Sequence, residues 1–172
     1  MIPAKAYHIY TALFYSIGIL AVYVFLRTGT GARGVGWLGA MAAGTLSPAL
    51  LFIEHMRVDA EGAFSLPQRL NVLLRYGEGP HMSALALLPL ALAAAWVALP
   101  AWRPAALALA GVFSALVVSN NFYGATALAI LYPLLVWARW LAQPERNLLL
   151  RAAAIPLLAY GLTAFWLTPS YL

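Results

Sequence analysis

Cysteine is absent from the 172 residues, which excludes a disulfide framework, a thiolate metal site and a cysteine nucleophile. Charge is nearly as scarce. Only 9% of the residues are Asp, Glu, Lys or Arg, against about 25% in soluble domains. Acidic residues number five and histidines three. No HExxH, GxSxG or P-loop pattern occurs. What is present is apolar: 64% of the chain is hydrophobic, with a mean hydropathy of +0.84. No water-soluble core of this size needs so much apolar surface, so the composition reads as a polytopic membrane protein.

The expected architecture is all-α, a transmembrane helical bundle of six spans in a single membrane domain, residues 1–172. The spans fall at residues 6–26, 35–53, 82–99, 104–118, 122–141 and 149–167. The first is too long for a signal-peptide core and has no cleavage site. Pro48 and Pro156 each remove a backbone bond inside a span and are expected to kink it. The uncharged stretch 104–138 would exceed about 50 Å as one helix, against a hydrocarbon core of about 30 Å. Ser119-Asn120-Asn121 therefore divides it into two spans. Gly36, Gly39 and Gly44 form the densest small-residue patch, read as generic helix packing rather than a dimer motif. Both ends of the chain abut apolar runs, which reads as a fragment of a longer protein.

Polar residues concentrate in one loop, 54–81. It holds Glu54, Asp59, Glu61 and Glu78, four of the five acids, with His55, His81, Arg57, Arg69 and Arg75. Within it, Ser65-Leu66-Pro67-Gln68 has the form of a helix start, a capping residue followed three positions later by Gln, with Pro in the first turn. Leu66, Leu70, Leu73 and Leu74 then share one face at helical spacing. Gly77 supplies a stop. This predicts a short amphipathic helix lying in the membrane interface.

Six spans place both termini on one side. The opposite side receives Arg27, Arg33, Arg103, Arg139, Arg146 and Arg151 against Glu145, a net +5; the side of the long loop sums to zero. The positive-inside rule makes the basic side cytoplasmic, so loop 54–81 and both termini face outward. This distribution also accounts for the overall charge of +5 without invoking nucleic acid. Membrane lipid is the expected surrounding.

Three groups of residues are candidates for chemistry. Glu54, His55 and Asp59 have a spacing able to ligate a divalent metal ion; a polar cap where a helix leaves the bilayer is the favoured reading, since no tight multi-ligand motif accompanies them. Arg75-Tyr76-Gly77-Glu78-Gly79-Pro80-His81 places a cation, a carboxylate and an imidazole on a turn shaped by glycine and proline, directly above the third span. There Arg75 can hold a phosphate and Glu78 or His81 can act as base or ligand. A snorkelling Arg and a helix-end His fit the same segment. Asn120 and Asn121 suit a tight turn or a sugar contact.

The segments Pro3-Ala4-Lys5-Ala6-Tyr7-His8, Arg75-Tyr76-Gly77-Glu78-Gly79-Pro80-His81, Ser119-Asn120-Asn121-Phe122-Tyr123-Gly124-Ala125 and Leu162-Thr163-Ala164-Phe165-Trp166-Leu167-Thr168-Pro169 resemble a central stretch of large bacterial membrane proteins. That family is the membrane family related to 6-pyruvoyl-tetrahydropterin synthase, and it is similar in layout to GT-C glycosyltransferases. The resemblance implies a sugar transferase that uses a polyprenyl-phosphate-linked donor on the outer face of the bacterial inner membrane. It implies Glu78 and His81 as catalytic residues. Arg57, Arg75, Tyr76, Asn120 and Asn121 would bind substrate. It does not imply pterin chemistry, since no zinc-binding His triad is present. A non-enzymatic transporter or scaffold segment, its outer loop binding a partner, is the alternative reading.

Overall fold

The computed structural model describes residues 3–45 and 79–165. Six helices account for nearly all of them: α1 (Pro3–Thr30), α2 (Arg33–Thr45), α3 (Gly79–Ala98), α4 (Pro104–Asn120), α5 (Phe122–Ala142) and α6 (Leu148–Thr163). No strand occurs among the described residues. Three helices are long and apolar enough to cross a membrane: Lys5–Thr30 within α1, Gly79–Ala98 and Phe122–Ala142. α4 and α6 are apolar but shorter, at 17 and 16 residues. Residues 46–78 and 166–172 lie outside the described residues, and with them the expected interfacial helix and the Pro48 kink.

α3 is the axis of the bundle. Its sequence is apolar on every side, and 61% of its best membrane-length window is buried, against 17% for α1 and 6% for α5. Leu88, Ala91, Leu92, Ala95 and Leu99, at or just past α3, meet Leu107 and Val117 of α4, Leu135 of α5 and Ile155 of α6 in one core. The alanines let neighbouring backbones approach closely, the usual basis of helix association in lipid, where the hydrophobic effect does not distinguish protein from acyl chains.

α1 and α2 form an antiparallel hairpin. Gly31 turns it at φ +70°, and its N–H donates to the Arg27 carbonyl over 2.8 Å, a left-handed helix stop that suits glycine. Gly36, Ala40 and Gly44 of α2 are buried. The side chains of Tyr23 and Ile19 on α1 fill the space beside Gly36 and Gly44, and the Tyr15 hydroxyl donates to the Gly44 carbonyl. The small-residue patch of α2 thus packs within the chain.

One end of the bundle carries the starts of α1, α3 and α5 and the ends of α4 and α6. The opposite end carries Arg27, Arg33, Arg103, Arg139, Arg146 and Arg151. Arg139 sits over the Trp96 ring at 5.2 Å and donates to Gln143 over 3.0 Å. Arg151, counted from sequence with the basic side, lies within α6 and is only 5% exposed. It pairs with Glu145.

Prolines stand inside α3, α5 and α6, and for the last of them another helix supplies the missing donor. Pro156 has no N–H, so the Ala152 carbonyl four residues earlier loses its helical donor. The Tyr132 hydroxyl of α5 donates to that carbonyl over 2.7 Å. Tyr132→Phe is therefore expected to cost about 1–3 kcal/mol, the penalty of an orphaned buried carbonyl. Pro156→Ala restores a helical donor, so Tyr132→Phe in that background should cost little. Unfolding by denaturing detergent, measured for the full cycle, checks this; equal losses in both backgrounds would refute it.

Candidate functional site

The first turn of α3 begins earlier than the residue pattern suggests. Gly79, Pro80 and His81, expected as part of a turn above the helix, are its first residues. Proline is at ease there because the first N–H groups of a helix have no partner to lose. His81 is consequently held by helical backbone. Its imidazole lies 5.3 Å from the Tyr123 ring, inclined at 54°. Tyr123 itself is 63% exposed and Phe122 is 80% exposed, so this aromatic group opens to the surroundings at the end of the bundle.

Beside it, Ser83 is wholly buried. Its Oγ lies 2.6 Å from Asn120 Oδ1 and 3.0 Å from the Pro80 carbonyl. Asn120 Nδ2 donates to the Leu116 carbonyl over 2.7 Å. Asn120 thus closes the end of α4 and ties it to α3. Asn121 does the equivalent for α5: it is the N-cap, its Oδ1 accepting from Tyr123 N–H over 2.7 Å. A cap of this kind contributes about 1 kcal/mol, and here it also sets the position of Tyr123 against His81.

From α1, the Tyr10 hydroxyl donates to the Gly79 carbonyl over 3.2 Å, and Tyr7 stacks on Tyr10 at 6.4 Å. Thr11 is buried with its Oγ1 unpartnered among the described residues. Four helices therefore converge on one polar end.

Of the residues singled out from sequence, His81, Asn120 and Asn121 are brought to this end through Ser83 and Tyr123. Glu54, His55, Arg57, Asp59, Arg75, Tyr76 and Glu78 lie outside the described residues. Among the described residues no three His, Cys, Asp or Glu side chains gather as a metal site would require. Ser83 and Tyr10 escaped the sequence reading. A hydroxyl in an alanine-rich helix looks like packing until its partner on another helix is known. Chemically, the end offers an imidazole, an exposed phenol, amide Nδ2 of Asn121 and aromatic faces, a set suited to a hydroxylated ligand.

No protein-family model, curated protein or solved structure matches this chain.

Proposed function

We propose that the chain is part of an integral membrane glycosyltransferase of GT-C layout, with six spans in the bacterial inner membrane. Residues 54–81 and both termini face outward, and the enzyme transfers a sugar from a polyprenyl-phosphate donor on that side. The observation that carries the reading is the convergence of His81, Asn120, Asn121 and exposed Tyr123 at the end opposite the six arginines. That end is the outer one under the positive-inside rule.

In this reading Arg57 and Arg75 hold the donor phosphate, with Tyr76 beside them. Glu78 and His81 position and activate the acceptor hydroxyl, and Asn121 Nδ2 and the aromatic faces meet the sugar. Glu54, His55 and Asp59 are the residues that would hold a divalent ion, if the donor phosphate requires one.

Two measurements test it. Single cysteines at Ser65 and Gln143 should react oppositely with an impermeant thiol reagent in intact cells, Ser65 labelled and Gln143 protected. The reverse pattern sinks the orientation. Transfer from a polyprenyl-phosphate sugar by the full gene product should fall at least about ten-fold for Arg75→Lys, which keeps the charge but loses the planar fork. Glu78→Gln and His81→Ala should fall at least as far. Wild-type transfer by all three variants would end the assignment.

A further inference from the structure

Arg27, Arg139 and Trp96 stand at one level of the bundle. The Tyr10 hydroxyl reaches the Gly79 carbonyl, and Phe14 and Gly18 of α1 share a crevice with Met82 and Ala86 of α3. The two helices therefore run parallel, and the same offset carries Arg27 to the level of Trp96. Arg139 of α5 lies over that Trp96 ring. Arg33, Arg103 and Arg146 stand just beyond, at or shortly before the starts of α2, α4 and α6.

Three of the six arginines at this end are already engaged. Arg27 donates to the Tyr23 hydroxyl over 3.0 Å, Arg139 is held by Trp96 and Gln143, and Arg151 pairs with Glu145. Arg33, Arg103 and Arg146 are exposed. Glu145 is the one acid among the described residues, and Arg151 takes it. The first turns of α2, α4 and α6 contain no acidic residue, so these helix starts add partial positive charge to the same end.

Tryptophan marks where this charge sits relative to lipid. Trp37, Trp102, Trp137 and Trp140 are all exposed, and each is within four residues of an arginine. On α5 an exposed apolar face runs down to them: Ile130, Leu134, Trp137 and Leu141 follow one another at helical spacing. That helix is the least buried of the three of membrane-spanning length. An indole has an apolar body and one N–H donor, so it settles where acyl chains give way to headgroups. An arginine excess alone follows from the way a chain inserts. Arginines with exposed indoles beside them are in addition placed at phosphate depth, where a guanidinium can bind two phosphate oxygens at once.

We propose that this end of the bundle is a docking surface for anionic phospholipid. Arg33, Arg103 and Arg146 bind the headgroup phosphates, and the exposed tryptophans lie at the boundary with the acyl chains. The argument for an anionic lipid is charge complementarity: a net negative headgroup neutralises the unpaired arginines, whereas a zwitterionic one brings its own cation. The surface lies at the opposite end from His81 and Tyr123, and neither the transferase reading nor the orientation of the chain enters into it.

The test uses the full chain reconstituted in bilayers of phosphatidylcholine mixed with phosphatidylglycerol, one or the other brominated on its acyl chains. Quenching of tryptophan fluorescence is read. Brominated phosphatidylglycerol should quench more, with a relative affinity of about two-fold or more at low salt. One arginine beside an anionic headgroup is worth about five-fold, diluted over lipid positions that touch no arginine. The preference should shrink at high salt. Arg33→Gln, Arg103→Gln and Arg146→Gln combined should abolish it, and Lys5→Gln at the other end should leave it intact. The three arginines are exposed, so the triple variant should keep wild-type helix content and thermal unfolding. Equal quenching by both lipids, or a preference that survives the triple change, would overturn the surface. A preference in the wild-type chain that is the same at low and high salt would also overturn it, however the variant folds. So would loss of the preference in inorganic phosphate but not in chloride of equal ionic strength, because the arginines would then hold free phosphate rather than lipid.

Discussion

Glu145→Ala is expected to destabilise the protein by about 3 kcal/mol, far more than a substitution at a largely exposed turn residue normally does. The loss comes from what stays behind. The Arg151 side chain is 6% exposed while that of Glu145 is 42% exposed. Removing the carboxylate leaves a guanidinium that is always charged, enclosed near the start of α6, with its Nε already unpartnered among the described residues. Removing the arginine is a different experiment. In Arg151→Met a long apolar chain fills the space, and Glu145 turns to water. That variant is expected within about 1 kcal/mol of wild type, since a buried pair replaced by apolar packing is often neutral. The double variant should recover most of the Glu145→Ala loss. Denaturing-detergent titrations of the three proteins provide the comparison; equal losses for both single variants would show that Arg151 is not buried.

Gly124→Val carries the other large effect. A Cβ at Gly124 would stand 2.5 Å from the Ala84 Cβ and 3.3 Å from both the Val117 Cγ1 and the Val117 carbonyl. Neither the alanine methyl nor the carbonyl can rotate away, so α5 must leave α3. Overpacking of this kind costs about 1–3 kcal/mol or more, and valine adds two methyls to a clash that alanine already makes. The shift also carries Tyr123 away from His81, so the aromatic contact should loosen even in the fraction that folds. Gly39→Ala is the control. The new Cβ would meet Leu26 Cδ1 at 2.0 Å, but that is the tip of a flexible side chain, and a rotamer change relieves it. Gly161→Ala, with nothing within 4 Å, should be neutral or stabilising by up to about 1 kcal/mol through helix propensity. Thermal unfolding in detergent that ranks Gly39→Ala or Gly161→Ala below Gly124→Val would contradict the packing.

The site was partly visible from residue types. His81 stands out at the end of the polar loop and Asn120 and Asn121 in an uncharged stretch, and the helix break that the two asparagines mark is real: α4 ends at Asn120 and α5 starts at Phe122. Their use was not visible. Asn120 spends both ends of its amide on Ser83 and Leu116, and Asn121 spends its oxygen on a cap. An amide next to a helix break reads alike whether it binds backbone or a ligand, because both demand the same donors and acceptors.

The sequence by itself determined that the described chain is helical and apolar enough for a membrane, and that the Ser119-Asn120-Asn121 interruption stands where one helix ends and the next begins. These follow from composition and local backbone chemistry, which act within a few residues. Only the tertiary structure decided which face of each helix packs. In lipid the protein-facing and bilayer-facing sides are both apolar, so no hydrophobic stripe distinguishes them. That is why the central position of α3, the burial of Arg151 against Glu145 and the Tyr132 donor for the Ala152 carbonyl appear only once the helices are assembled. Each depends on a distance between residues on separate helices or across a connection, which periodicity along one helix does not encode.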